Sequence, residues 1–312
     1  MKAEVIAHSV TDLSIEMVTW ELECPRFIWA EMLTHGRLSK NASSSRAIPN
    51  KRLTQDILDH TAMPVFWGGN KPGMQAGEEI DAQVQDPITG EMLSREDAWK
   101  RAASYGVAWA RAFHEAGYHK QLSNRLCENL GHIRAVVSGT ELENFFNLRC
   151  HPDAQPEINA LARMMRSSLK KSEPRLLKNE EWHLPYVSLE DRQKLVKIVL
   201  QSDKLKGATI TQVAEIANGL ARLVSAARCA RVSYKTFHGT TSTLEEDLKL
   251  CRQLALSVPG HWSPFQHQAK PDFLIDGKWA HPEMRGNLIG MQRSRELFEA
   301  NRAEMVELLE SF

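Results

Sequence analysis

The stretch THGRLSKNASSSRAIP, Thr34–Pro49, places His35, Arg37, Lys40 and Arg46 among Ser39, Ser43, Ser44 and Ser45, with few large apolar side chains. Hydroxyls, backbone N–H groups and guanidinium forks together suit a phosphate, whose oxygens arginine binds two at a time. A solvated serine-rich loop has the same composition, so the residues alone leave both readings open. A second stretch, ENFFNLRCHPDAQPEI (Glu143–Ile158), sets Arg149 between the Phe145–Phe146 pair and a turn containing Pro152. Such an arginine either pairs with a buried carboxylate or points into a ligand site. A third region holds RCARVSYKTFHGTTST and, further on, GHWSPFQHQ, where His261 and His267 flank a Ser-Pro turn. Read singly, these histidines are structural.

The bulk properties narrow the chemistry. The chain has 312 residues with 39 basic and 39 acidic side chains, enough for one large domain or two small ones at ~100–200 residues each. Balanced charge argues against a binder of polymeric nucleic acid or of a membrane surface, while leaving room for a local basic pocket. No apolar run approaches the ~20 residues of a membrane span. The N-terminus MKAEVIAHSVTDLS lacks a signal-peptide core, which predicts a cytoplasmic protein. Cys24, Cys127, Cys150, Cys229 and Cys251 are widely spaced with no C-x-x-C pair, which predicts reduced, mostly buried thiols and no zinc site. The histidines show no metal-ligand spacing, so no metal is expected.

Taken together, the segments resemble the flavin-dependent thymidylate synthases. That family carries R-H-R-x7-S at a helix-to-loop junction, then LR…AQ.EI, together with ARVS and H.SPFEH segments. The counterparts here are THGRLSKNASSSR, NLRCHPDAQPEI, ARVSY and HWSPFQH. In better-known members ARVS and H.SPFEH come first; here they come last, which resembles a circular permutation of the kind a phage variant would show. Such a break is tolerated where old termini lie close together at the surface.

The resemblance implies an α+β, helix-rich fold with a central, mostly antiparallel sheet in permuted order, as one domain over residues 1–312. It implies a homotetramer that binds FAD and dUMP and moves a one-carbon unit from methylenetetrahydrofolate to C5 of the pyrimidine. A hydride from the flavin completes the methyl group, and NADPH restores the reduced flavin. By position, Ser44, Ser45 and Arg46 match nucleotide-phosphate contacts, Arg125 a further nucleotide arginine, and Glu31 the usual Gln of the base pocket. Arg149 matches the arginine that polarises the ring, and His35 the histidine of R-H-R beside the flavin. Asn144, Ser233, His261, Ser263 and Gln266 match flavin contacts, and Arg37 stands in for one lost arginine.

The departures fall at the flavin end. R-H-R has become Thr34-His35-Gly36, FEH has become FQH, Ala42 replaces a glutamate and Asp153 a histidine. Losing two charged contacts at ~1.5–3 kcal/mol each weakens cofactor affinity by orders of magnitude. A second reading is therefore hydroxymethylation of dUMP or dCMP, with water taking the exocyclic methylene, as for modified bases of phage DNA. A carboxylate at Glu31 accepts from a cytosine amino group. A third is a nucleotide-binding paralogue without turnover. Cys150-His151 superficially offers a thiol nucleophile, but its surroundings resemble no classical thymidylate synthase.

These residues need elements to hold them. Val18, Trp20, Leu22 and Cys24 alternate with polar residues, which predicts a strand with one buried face. That strand is expected to pair with the segment after His267. RFIWAEMLTH reads as a short helix leading into the THG loop. Residues 55–95 read as a loop-rich insertion or lid. A helix with Ala98, Ala102, Tyr105, Trp109 and Phe113 inward, closed by Gly117, follows, then helix from Lys120 to Asn147. Pro156 opens a helix burying Ile158, Leu161, Ala162 and Met165. A connector with two prolines leads to a long helix carrying Val213, Ile216, Ala217, Leu220, Val224 and Ala227. Thr243–Glu246 has capping-box spacing before another helix, and the chain is expected to be helical again from Arg293.

Overall fold

The first residues fold back on themselves. β1 (Lys2–Thr11) and β2 (Glu16–Pro25) form an antiparallel hairpin with Lys2 opposite Glu23 and Val10 opposite Glu16. Its turn is closed by Thr11 Oγ1, which accepts from the Ile15 amide at 3.2 Å, and by Ser14 at φ 59°. The computed structural model describes residues 1–202, 206–232, 242–303 and 306. The remaining elements, in order, are α1 (Trp29–Leu33), β3 (Ser39–Ala42), α2 (Asn50–Asp59), β4 (Val84–Gln85) and β5 (Met92–Leu93). Then come α3 (Arg95–Glu115), α4 (Lys120–Ser123), β6 (His132–Gly139), α5 (Glu143–Arg149), α6 (Pro156–Lys170) and β7 (Arg175–Leu177). The last part holds α7 (Leu189–Gln201), α8 (Ile210–Arg231), α9 (Leu244–Leu256), β8 (Ala269–Pro271), β9 (Leu274–Ile275), β10 (Lys278–Trp279), β11 (Met291–Arg293) and α10 (Ser294–Ala300).

Five strands make the central sheet in the order β3-β6-β2-β1-β7, antiparallel except for β1 against β7. β2 lies in the middle. Its Val18, Trp20, Leu22 and Cys24 are buried as the alternation predicts, but Thr19 on the other face is buried as well, because the sheet is covered on both sides there. The expected pairing of β2 with the segment after His267 does not occur. β1 and β6 already occupy both edges of β2, and β8 pairs with β11 instead.

One core lies between the sheet and α5–α6. Ile158, Leu161, Ala162 and Met165 of α6 are fully buried against Val18, Trp20 and Leu22, and Pro156 occupies the first turn as expected. The Trp20 indole donates to Ser168 Oγ at 3.1 Å and meets Phe146 edge-on at 6.4 Å, a pair worth about 0.5–1.5 kcal/mol beyond area burial. A second core is formed by α7, α8 and α9, with Leu220, Val224, Ala227, Cys251 and Ala255 at its centre. The Thr243–Glu246 capping box is present.

Two expectations are corrected. The region from Lys120 to Asn147 is not one helical stretch: after α4 and two 3-10 turns it becomes β6. Gly131 and Gly139 bracket a run with β-branched Ile133, Val136 and Val137, and this favours an extended strand once neighbours cover both faces. In α3 the buried stripe is Ala103, Val107 and Ala110, while Trp109 is 64% exposed. Small side chains let α3 approach α2 closely, so the large ones turn outward. The expected loop-rich stretch begins later than Gln55, since α2 runs to Asp59. Between His60 and Ser94 the chain forms only the β4–β5 hairpin and an isolated bridge, tied down by Trp67 edge-on to Trp99 at 6.0 Å.

Candidate functional site

The serine-rich loop is laid along the segment that follows α4. Asn124 Nδ2 donates to the carbonyls of Ser45 at 2.8 Å and Ile48 at 3.0 Å, and Lys120 Nζ donates to that of Ala47 at 3.1 Å. Arg26 reaches the Ser43 carbonyl at 3.4 Å. The Ser45 hydroxyl points inward and donates to Glu128, which also pairs with Arg26 at 3.3 Å and Arg125 at 2.9 Å. Ser45 and Arg125, both expected at the nucleotide, thus have their side chains engaged by Glu128. The Ser44 hydroxyl and the exposed Arg46 guanidinium have no partner among the described residues, and neither do the amides of Ser44, Ser45 and Arg46. Successive backbone N–H groups left unpaired in this way are the kind of donors from which anion-binding nests are built. A cleft of about 510 Å³ opens beside the loop, lined among others by Ser43, Ala47, Ile48, Arg52, His132 and Arg134.

At the other end of β3 stand His35 and Arg149. Thr34 caps the end of α1, its amide bonding the Glu31 carbonyl at 3.2 Å, and the His35 amide follows onto Met32 at 3.3 Å. Arg149 closes α5 and donates from Nε to His35 Nε2 at 2.7 Å and from Nη2 to Thr34 Oγ1 at 3.3 Å. Its own carbonyl is held by Asn159 at 2.9 Å. Burial first, then the charges of Arg149 and Lys40, depress the His35 pKa. A neutral ring with Nε2 as acceptor matches the arginine's obligatory donation. Phe145 supports the imidazole edge-on at 4.9 Å. Glu31, on the same short helix, has a buried Oε2 with no hydrogen-bond partner among the described residues.

The HWSPFQH segment arrives from far along the chain. Its 3-10 turn, Ser263–Gln266, packs against β3, so the first and last quarters of the sequence meet there. The side chains of His261, Ser263, Gln266 and Asn144 engage no partner among the described residues. Their polar groups are left free to bond a ligand. Arg37 pairs with Glu141 at 3.2 Å on the surface. Ser233 lies outside the described residues. Among the described residues no cluster of His, Cys, Asp or Glu could hold a metal, and no helix is long and apolar enough to cross a membrane.

Several participants carried no motif. Lys120, Asn124 and Glu128, spaced by four, hold the loop. Asn287 accepts from Ser39 at 3.0 Å and donates to the Arg37 carbonyl at 3.0 Å, with Arg293 beside both. The regular Lys-Asn-Glu spacing was the one sequence signal available.

A search of the curated proteins finds no match. Among solved structures, a UMP/dUMP methylase PolB from Streptomyces cacaoi bound with 5-Br UMP is 14% identical over 55% of this chain and 88% of that one, with a TM-score of 0.39. The same enzyme bound with 5-Br dUMP is 15% identical over 50% of this chain and 66% of that one, with a TM-score of 0.36. Placement rests instead on a family model described as Thymidylate synthase complementing protein, which matches residues 10–175. That span contains both the THG loop and the Arg149 segment, with ARVSY and HWSPFQH following it in permuted order. The chain belongs to this family, the flavin-dependent thymidylate synthases, and is a one-carbon transferase.

Proposed function

We propose that the protein transfers a one-carbon unit from methylenetetrahydrofolate to C5 of a pyrimidine deoxynucleotide monophosphate, with reductive methylation of dUMP to dTMP as the reaction. The observation that carries this reading is the cradle at Ser44–Arg46: three unpaired amides, a free hydroxyl and a free guanidinium in one loop. That set suits the dianion of a nucleotide phosphate.

Arg149 then supplies the chemistry at the ring. Arginine has five N–H donors, and His35 and Thr34 occupy two of them. Three remain to lie against a ring carbonyl and stabilise the negative charge that grows as C5 becomes nucleophilic. His35 fixes the guanidinium plane and stays neutral, so it does not compete for that charge. The unpartnered Glu31 carboxylate oxygen is the group that would accept from an N–H of the base.

His35, Asn144, His261, Ser263 and Gln266 would hold FAD, with Arg37 and Ser233 as the further contacts that the resemblance implies. When bound and reduced, the flavin supplies the hydride that completes the methyl group, and NADPH restores it. The four extended residues of β3, which span roughly 13 Å, stand along the chain between His35 and the cradle. A homotetramer in which one copy's cradle faces its neighbour's Arg149 would close the site.

Glu31 also favours a second reading. A carboxylate accepts from an exocyclic amino group, which makes dCMP a candidate substrate, and the thinned flavin end makes hydroxymethylation a candidate outcome. Incubating the purified protein with dUMP or dCMP, methylenetetrahydrofolate, FAD and NADPH, and weighing the products, tests both. dTMP supports the first reading. A hydroxymethyl nucleotide supports the second, and no product from either substrate overturns both.

A further inference from the structure

We propose that Lys120, Asn124 and Glu128 are positioning residues that shape the backbone of Ser44–Arg46 into the anion site, an inference that rests on the phosphate cradle proposed above. The argument starts from the peptide plane. In a trans peptide the carbonyl of one residue and the N–H of the next point in opposite directions. Arg26 holds the Ser43 carbonyl and Asn124 holds the Ser45 carbonyl. The N–H groups of Ser44 and Arg46 therefore face away from the protein wall that grips those carbonyls. Lys120 on Ala47 and the second Asn124 bond, on Ile48, anchor the far side of the loop in the same sense. Glu128 pins the Ser45 side chain inward, which leaves the backbone, and not that hydroxyl, as the outward-facing donor.

Asn124 is specific for this task. It is fully buried, and its Oδ1 accepts from Asn50 at 2.9 Å, so the amide orientation is fixed with both N–H groups toward the loop. An amide is needed there, because a carboxylate of the same shape would set an oxygen against two carbonyl oxygens. None of the three residues has to touch the ligand. They act by presenting the nest already formed, which removes the ordering cost from binding.

The test compares dUMP with deoxyuridine, which lacks the phosphate, by calorimetry on the full chain. The wild-type protein should bind dUMP more tightly than deoxyuridine. Lys120→Met and Asn124→Asp should each lose about tenfold in dUMP affinity, the worth of one well-placed hydrogen-bonded group, with deoxyuridine affinity and melting temperature little changed for Lys120→Met. Lys120 is partly exposed, so its variant folds even where Asn124→Asp does not. Variants that keep the wild-type preference for dUMP, or lose both ligands equally, would overturn the positioning role while leaving the cradle intact. A wild-type protein with no preference for dUMP would overturn the cradle itself.

Discussion

Arg149 Nε lies 2.7 Å from His35 Nε2, and because a guanidinium only donates, the imidazole must accept with its proton on Nδ1. Two residues far apart in sequence thus define each other's state. The histidine is kept neutral, and the arginine is aimed.

Removing that aim should stop the chemistry while sparing the fold. Arg149→Ala is expected to lower kcat by at least about a hundredfold, the scale seen when one charge-stabilising donor is lost. Its circular dichroism should match the wild type. Arg149→Lys should remain impaired, since lysine cannot donate to His35 and the ring in one plane. Unchanged single-turnover rates would take Arg149 out of the mechanism.

Arg46→Ala concerns affinity instead. The free guanidinium at the cradle predicts a rise of roughly tenfold or more in the Kd for dUMP. Deoxyuridine binding should not move. A shift well below tenfold would place the phosphate elsewhere.

Glu31→Gln addresses the base. A neutral amide offers one acceptor and a donor where the carboxylate offers only acceptors. Turnover of dCMP relative to dUMP should fall by about tenfold, read from competing-substrate assays with mass detection. A ratio that stays constant would show that Glu31 does not read the ring.

Acid should destabilise the protein in a defined window. Burial pushes the pKa of both His183 and His267 down to about 3. Below the ordinary value near 6.5 the unfolded chain binds protons that the folded chain refuses, so stability is full above that value and falls as pH drops. The two groups together predict a slope on the order of 3 kcal/mol per pH unit between the two limits. Urea titrations at pH 7, 6, 5 and 4 measure it. His183→Gln should flatten the slope, and a flat wild-type curve would contradict the burial.

Much of this was legible before any coordinates. Pro156 and the Ile158-Leu161-Ala162-Met165 stripe announce α6, and Thr243 with Glu246 announces α9, because both signals are local. β1 and β6 escaped because their extended state is enforced by neighbours on both sides, which no window of sequence contains. The inward face of α3 differs from the large-residue stripe its sequence suggests because close packing on α2 selects alanine. The motif residues of the site were visible. What holds them was not, since Glu128, Asn124 and Asn287 act through contacts between distant segments, and hydrogen bonding between distant residues leaves no periodic trace.

All five strands of the central sheet are complete by Leu177, whereas Ser263–Gln266 and Arg293 reach β3 from the final part of the chain. During synthesis from the N-terminus, the sheet and the serine loop can therefore settle first. The ribosome must deliver nearly the whole polypeptide before the second wall arrives, so a truncated product would carry a grip for an anion but no finished catalyst.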